Sequence, residues 1–197
     1  MMSTMEPQRS KVRVAERRDA EAIAAIYTPI VRETAISFET DPPTAAIMAD
    51  RIETTLRRHP WLVAETSGEV VGYVYASEHR QRAAYRWSVD VTAYVSQDAR
   101  GQGLGRRMYG VLIDTLRAQG FRSAFAGIAL PNPASVALHE SVGFTALGVY
   151  KDVGFKLGRW HDVGWWRLAL STGDHNPAEP IAFARLRDSS TFTSLLG

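Results

Sequence analysis

The segment Arg100-Gly-Gln-Gly-Leu-Gly-Arg-Arg107 is the most informative part of the sequence. It follows a strand-like stretch, residues 85–95, and runs directly into a segment with helical periodicity that ends at Gly120. Glycines between a strand and a helix let the backbone approach a ligand closely and direct free N–H groups at an anion. We therefore expect this loop to bind a phosphate group.

Two familiar phosphate-binding patterns do not fit the loop. Counted from Gly101 or Gly103, the third glycine of G-x-G-x-x-G would fall on Arg106 or Met108, and no Gly-Lys-Ser/Thr follows. A dinucleotide fingerprint and a P-loop are thereby excluded. A glycine-rich turn that only starts a helix is the alternative that binds no ligand.

Outward from the loop, the sequence predicts one α/β (α+β) domain with a mixed, mostly antiparallel sheet flanked by helices. Helical spacing and caps alternate with stretches rich in β-branched and aromatic residues. The predicted strands are 12–15, 61–66, 69–77, 85–95, 123–129, 145–153 and 161–170, and the helices follow Asp19, Thr44, Gly103 and Pro131. The order is βααβββαβαββ. Residues 11–170 form the domain, 1–10 a flexible leader, and 171–197 a tail that packs loosely or is mobile.

Composition excludes several classes of function. The 197 residues include no cysteine, which excludes a disulfide framework, a thiolate zinc site and a cysteine nucleophile and suits a reducing cytoplasm. Lysine and arginine outnumber the acidic residues by only 23 to 21, and the arginines are dispersed, so no nucleic-acid partner is predicted. No apolar run approaches the roughly 20 residues of a membrane helix. We expect a cytoplasmic protein.

Two segments resemble the GNAT superfamily of acetyl-CoA-dependent N-acetyltransferases. Arg100–Gly105, preceded by Thr92-Ala-Tyr-Val95, is similar to its Q/R-x-x-G-x-G/A pyrophosphate loop. Asn132, Ser135, His139-Glu140 and Gly143-Phe144 resemble its N-x-x-S-x-x-L-Y/H-E-x-x-G-F segment. The resemblance implies the GNAT acyl-CoA N-acyltransferase fold and acetyl-CoA as co-substrate.

Residues 12–170 resemble more closely the phosphinothricin and methionine sulfoximine N-acetyltransferase subfamily. The similar segments are Ala84-Tyr-Arg-Trp-Ser-Val-Asp90, Leu130-Pro-Asn132, Leu138-His-Glu140 and Gly158-Arg-Trp-His-Asp-Val-Gly-Trp-Trp166. This resemblance implies transfer of acetyl from acetyl-CoA to the α-amino group of a small glutamate-like amino acid. It also implies a homodimer.

The resemblance assigns two catalytic residues. Asp90 stands where the subfamily has a catalytic glutamate, and being one methylene shorter it acts on the amine directly or through a bridging water. The alternative for Asp90 is an exposed residue paired with Arg86. His139 stands where many superfamily members have a tyrosine that protonates the departing thiolate, so it is a proton donor, a substrate contact, or a histidine bonded to a neighbour.

The remaining site residues are assigned in the same way. The predicted contacts with CoA are Tyr94, Val95, Arg100, Gly101, Gln102, Gly103, Leu104, Gly105 and Arg106, with Asn132 and Ser135 along the pantetheine arm. The predicted substrate contacts are Phe38, Arg80, Arg82 and Thr92, where the two arginines suit a carboxylate. We interpret His59, His79 and His175 as structural. No metal site is predicted, because position 143 is glycine and H-E-x-x-H is not completed.

Two other functions stay open on the sequence. One is acetylation of a different amine, such as a polyamine, an aminoglycoside or a protein N-terminus, although Arg80 and Arg82 would repel cationic substrates. The other is a CoA-binding sensor without turnover, which the shortened acid at position 90 and the C-terminal tail leave open.

Overall fold

A seven-stranded sheet forms the centre of the molecule in a computed structural model that describes residues 10–172 and 176–196. The strands are β1 (Lys11–Val14), β2 (Trp61–Thr66), β3 (Glu69–Glu78), β4 (Ser88–Val95), β5 (Ser123–Leu130), β6 (Thr145–Lys156) and β7 (Arg159–Ala169). Their order in the sheet is β1-β2-β3-β4-β5-β7-β6. The only parallel pair among these strands is β4 with β5, so the predicted mixed, mostly antiparallel sheet is confirmed.

Six α-helices accompany the sheet in the described part of the chain. They are α1 (Ala20–Glu33), α2 (Ala45–Leu56), α3 (Leu104–Gln119), α4 (Pro133–Ser141), α5 (Phe183–Leu186) and α6 (Ser190–Leu196). On one face of the sheet, Tyr94 of β4 packs against Tyr27 of α1, with ring centroids 5.1 Å apart. On the opposite face, α3 lies so close to the sheet that a Cβ at Gly72 of β3 would stand 3.2 Å from Met108 Cε. The sheet therefore lies between two helical layers.

The parallel pairing of β4 with β5 is short. It joins Ser88 to Ser123, Val89 to Ala124 and Asp90 to Phe125, and it stops there. From Ser123 to Leu130, β5 is paired on its other side with β7. Residues 91–95 of β4 remain paired with β3 but have no ladder with β5, so their N–H and C=O groups on the β5 side have no strand partner and can meet a ligand. Arg100 Nε donates to one of these groups, the Val95 carbonyl, at 3.3 Å.

Three predicted strand boundaries are wrong: the start of β4, the end of β6 and the start of β7. Residues 83–85 form a 3-10 turn and β4 begins only at Ser88, because the side chains just before it bind outside the sheet: Arg86 pairs with Glu179, and Trp87 Nε1 donates to the Ala178 carbonyl. Strands β6 and β7 continue to a tight turn at Leu157 and Gly158, where both residues have positive φ.

The C-terminal segment is packed, which corrects the expectation of a loose tail for residues 176–196. Phe183 and Phe192 are 0% and 2% exposed and contact each other edge to face. Gln119 at the end of α3 donates from Nε2 to the carbonyls of Ile181 and Arg58, at 2.7 and 2.9 Å. The aromatic residues add to the core beside α3. The expected leader, except Ser10, and His175 lie outside the described residues.

We expect Phe192→Ala to lower the free energy of unfolding by about 3 kcal/mol, because it removes a fully buried ring from the core beside α3. Ile181→Ala is the matched control, since Ile181 is 47% exposed and should cost less than about 1 kcal/mol. Urea denaturation measures both changes. Equal losses in the two variants would contradict an integral C-terminal segment.

Candidate active site

Backbone N–H groups of the glycine loop line one end of the first part of the site. Gly101 and Gly103 have φ values of +76° and +74°, a left-handed conformation that residues with side chains rarely adopt. Gly103 is also the residue before the first turn of α3, whose leading N–H groups have no partner within the helix. These N–H groups and the helix dipole favour an anion at this point.

A cavity of about 330 Å³, the loop cavity, connects this loop with the open edge of β4 and with α4. Its lining includes Tyr94, Val95, Arg100, Gly101, Gly103, Leu104, Gly105, Arg106, Asn132, Ser135 and His139. The structure thus brings together all but one of the predicted CoA contacts. The exception is Gln102, whose amide donates to the Asp98 carbonyl at 3.3 Å.

Asn132 and Ser135 owe their positions to the start of α4. Asn132 caps this helix, and its Oδ1 accepts from the Ser135 N–H at 3.1 Å. Pro133 follows at the first helical position, where a missing N–H costs nothing. This local pattern fixes the wall of the loop cavity opposite β4.

His139 is buried and uses both ring nitrogens. Nδ1 donates to the Ser135 carbonyl at 2.7 Å, and Nε2 accepts from the Tyr109 hydroxyl at 2.7 Å. Burial lowers the pKa of His139, with the bond to Ser135 opposing. The neutral ring therefore has its single proton on Nδ1. This geometry favours the interpretation of a histidine bonded to its neighbours, and its role as a proton donor stays a prediction.

Asp90 and His79 form the second part of the site. Ser77 of β3 lies opposite Asp90 in the antiparallel pair, so His79, two residues further on, is on the same face of the sheet. His79 Nδ1 is 2.6 Å from Asp90 Oδ1. Burial raises the pKa of Asp90, while the hydrogen bond from His79 opposes that shift.

The structure corrects one interpretation of these residues and adds a contact to another. The alternative pairing of Asp90 with Arg86 is wrong, because Arg86 Nη1 is 3.0 Å from Glu179 Oε1. His79, interpreted from the sequence as structural, is bonded to Asp90 itself. Strand alternation from Ser77 could have placed His79 on the face of Asp90, but only with the register of β3 and β4 known.

Two further cavities adjoin His79 and Arg80. The Arg80 cavity, about 600 Å³, is lined by Glu78, His79, Arg80, Gln81, Arg82 and Tyr85. The Trp165 cavity, about 310 Å³, is lined by His79, Arg80, Phe125, Leu147, Gly148, Val149, Tyr150 and Trp165. The guanidinium of Arg80 is 5.7 Å from the Trp165 ring centroid. The two arginines predicted to bind a carboxylate therefore lie beside the imidazole of His79.

Thr92 and Phe38 are placed differently. Thr92 lies opposite Tyr75 in the ladder, on the same face as Asp90. Phe38 lies in the loop between α1 and α2, and its ring occupies the space that a side chain at Gly154 of β6 would fill. It lines none of the three cavities. Lys156 holds this loop, because its Nζ donates to the carbonyls of Ser37 and Val31, both at 2.6 Å.

Within residues 10–172 and 176–196, no group of three His, Asp or Glu side chains is arranged to hold a metal ion. None of the helices described has the length and apolar character that crossing a membrane requires.

Comparisons with known proteins agree with this geometry. Residues 12–165 match the family model of the acetyltransferase (GNAT) domain. The chain is 41% identical over 165 residues to a phosphinothricin N-acetyltransferase of Streptomyces viridochromogenes, covering 83% of this chain and 90% of that protein. It is 36% identical over 170 residues to an L-methionine sulfoximine/L-methionine sulfone acetyltransferase of Salmonella typhimurium, covering 81% and 94%. A phosphinothricin acetyltransferase of Sinorhizobium meliloti in complex with AcCoA superposes with a TM-score of 0.81 at 34% identity, over 88% and 98% of the chains.

We expect the His139 ring to titrate below the ordinary histidine value of about 6.5, because charging it in the folded protein requires a buried cation and breaks the bond from Tyr109. NMR titration of ¹⁵N-labelled histidines measures this, with His139→Gln for assignment. His59 is the reference, since burial lowers its pKa to about 4. A midpoint for His139 at or above 6.5 would contradict the neutral geometry.

Proposed function

The chain belongs to the GNAT acetyltransferase family, and we propose that it acetylates the α-amino group of a small glutamate-like amino acid, such as phosphinothricin or methionine sulfoximine. The observation that carries this proposal is the grouping of Arg80 and Arg82 with His79 around one cavity, next to Asp90. Two guanidinium groups suit the acidic side of such a substrate, and the Asp90–His79 pair suits its ammonium group.

Acetyl-CoA occupies the loop cavity in this proposal. The N–H groups around Gly101 and Gly103 bind its pyrophosphate, and the unpaired edge of β4 at Tyr94 and Val95 binds the pantetheine arm. With about 3.3 Å per residue along a strand, the arm runs from Val95 toward Asp90 over roughly 17 Å. Solved relatives that contain acetyl-CoA support this assignment.

The reaction is direct transfer. An ammonium group first gives up a proton, and the neutral amine then attacks the thioester carbonyl carbon. A C–N bond forms, the C–S bond breaks, and CoA leaves as a thiolate that takes up a proton. The chain has no cysteine that could form an acetyl-cysteine intermediate, so the amine is the nucleophile.

We further propose a cytoplasmic homodimer. Strand β6 is at the edge of the sheet and exposes apolar side chains that include Leu147, Val149, Tyr150, Val153 and Phe155. An exposed, apolar edge strand of this length is a hazard for a monomer and is typical of a protein interface. A chain without cysteine suits the reducing cytoplasm.

A thiol-release assay with acetyl-CoA tests the proposed function. We expect amine-dependent release of CoA with phosphinothricin, methionine sulfoximine or methionine sulfone, and none with polyamines, which Arg80 and Arg82 repel. Release with a polyamine or aminoglycoside alone would favour acetylation of another amine. Acetyl-CoA binding without release on any amine would favour a CoA-binding sensor.

We expect Gly103→Val to weaken acetyl-CoA binding by about tenfold or more, equivalent to about 1.4 kcal/mol. Valine is strained at φ +74° and adds bulk where the phosphate must approach, although no protein atom lies within 4 Å of the new Cβ. Gly110→Ala, at an open position within α3, is the control and should leave affinity unchanged. Isothermal titration calorimetry measures both, and undiminished affinity in Gly103→Val would contradict the loop assignment.

We expect Asp90→Asn to lower turnover at least about tenfold while acetyl-CoA affinity is kept, because the amide cannot supply the negative charge beside His79. Asp114→Asn, on the exposed surface of α3 and paired with Arg117, should retain wild-type turnover. Steady-state kinetics with saturating acetyl-CoA measure both. An unchanged rate in Asp90→Asn would remove Asp90 from the mechanism.

A further inference from the structure

The hydrogen bond between His79 and Asp90 leaves one nitrogen of the imidazole free. Nδ1 is engaged with Asp90 Oδ1 at 2.6 Å, and the carboxylate fixes the ring proton on that nitrogen. No group within residues 10–172 and 176–196 forms a hydrogen bond with His79 Nε2. The atom is not fully buried, and the His79 side chain is 12% exposed. His79 therefore has an accessible lone pair on Nε2.

We propose that His79, through Nε2, takes the proton from the substrate ammonium, and that Asp90 acts through His79 as a positioning residue. This inference rests on the proposed function and replaces the shortened carboxylate as the group that meets the amine. An aspartate and an imidazole in series reach further into the cavity than the aspartate alone.

The cavities distinguish the two candidates for the base. His79 lines both the Arg80 cavity and the Trp165 cavity, whereas Asp90 lines neither. Oδ1 of Asp90 is already bound to the imidazole. A substrate held at its acidic end by Arg80 and Arg82 therefore meets the imidazole before the carboxylate.

The ring of His79 is held in one orientation. It stacks on Phe125 with centroids 4.4 Å apart and planes 15° apart, and the edges of Tyr85 and Trp165 lie 6.0 and 6.2 Å away. A base fixed on three sides and bonded at Nδ1 loses little orientational freedom when the substrate binds. Asp90 thereby sets both the tautomer and the direction of Nε2.

The charges around His79 suit a reversible proton acceptor. Asp90 of β4 is bonded to Nδ1 and carries the charge opposite to that of the imidazolium that forms, and Arg80, two residues after β3, lines the same cavity as the ring. The other titratable groups around the ring are Glu78, Arg82 and Tyr85 in the Arg80 cavity and Tyr150 in the Trp165 cavity, while Phe125 and Trp165 are uncharged. Imidazole is the side chain whose ordinary pKa is nearest neutral pH, which is the condition for an efficient general base.

The proton-transfer step balances as follows. The N–H bond of the substrate ammonium breaks, its proton bonds to Nε2, and the nitrogen keeps the electron pair that attacks the thioester carbon. When the C–S bond breaks, the sulfur takes its electron pair and the second proton lost from the nitrogen. The imidazolium then releases its proton to solvent, and His79 returns to its starting form.

Three variants test the inference in steady state: His79→Asn, Asp90→Asn and the double variant. We expect His79→Asn to lower kcat by about 100-fold or more at neutral pH, with KM for acetyl-CoA changed by less than about twofold. The loss should shrink at high pH, where the substrate amine is neutral without help, and the acidic limb of the wild-type pH profile should disappear. The double variant should be no slower than His79→Asn.

The control is Glu69→Gln, at the exposed start of β3 and outside the three cavities, which removes one negative charge from the same strand and should keep wild-type kcat and pH profile. A kcat for His79→Asn within about threefold of wild type would overturn the inference. So would a double variant much slower than His79→Asn, since Asp90 would then accept the proton itself. Absence of acetyl transfer by the wild-type protein would instead count against the proposed function.

A second measurement is independent of turnover. In ¹⁵N-histidine NMR spectra of the wild-type protein at alkaline pH, we expect neutral His79 to carry its proton on Nδ1, and in Asp90→Ala to shift toward the Nε2–H form. A wild-type ring with its proton on Nε2 would overturn the inference, because that nitrogen could not accept another.

Discussion

The short parallel pairing of β4 with β5 is the constraint on which the rest of the site depends. The two strands hold each other only as far as Asp90 and Phe125, and β5 then follows β7. An unpaired strand edge inside a sheet is costly unless something binds its N–H and C=O groups. The fold therefore places a carboxylate and an open backbone edge on β4, and the N-terminus of α3 shortly after that strand.

Both parts of the site include residues of β4. One part lies where β4 is no longer paired with β5, and the other lies where the two strands are still paired. The loop cavity lies beyond the paired region, at Tyr94 and Val95, where the free edge continues into the glycine loop. The Asp90–His79 pair lies within the paired region, where β3 and β5 fix the backbone on both sides. The part of β4 that is open on one side suits a long, extended ligand, and the part that is paired on both sides holds the Asp90–His79 pair in place.

Local signals made the loop, the element order and most of the loop cavity predictable. Positive φ at Gly101 and Gly103, the cap at Asn132 and the helix end at Gly120 depend on neighbours close in sequence. The contact of His79 with Asp90 depends on the register of β3 with β4, which composition does not set. The burial of Phe192 and the bond from Tyr109 to His139 likewise arise between distant segments, so the sequence could not reveal them.

The buried amine of Lys156 has a consequence for a protein whose chemistry acylates amines. Its Nζ donates to the carbonyls of Val31 and Ser37, and burial lowers the pKa of this lysine. Only the neutral form of an amine attacks an acyl donor, and a lowered pKa makes that form a larger fraction of the amine at neutral pH. The fold shields this amine from any acyl donor, so the packing of Lys156 beneath the loop between α1 and α2 also protects it from self-modification.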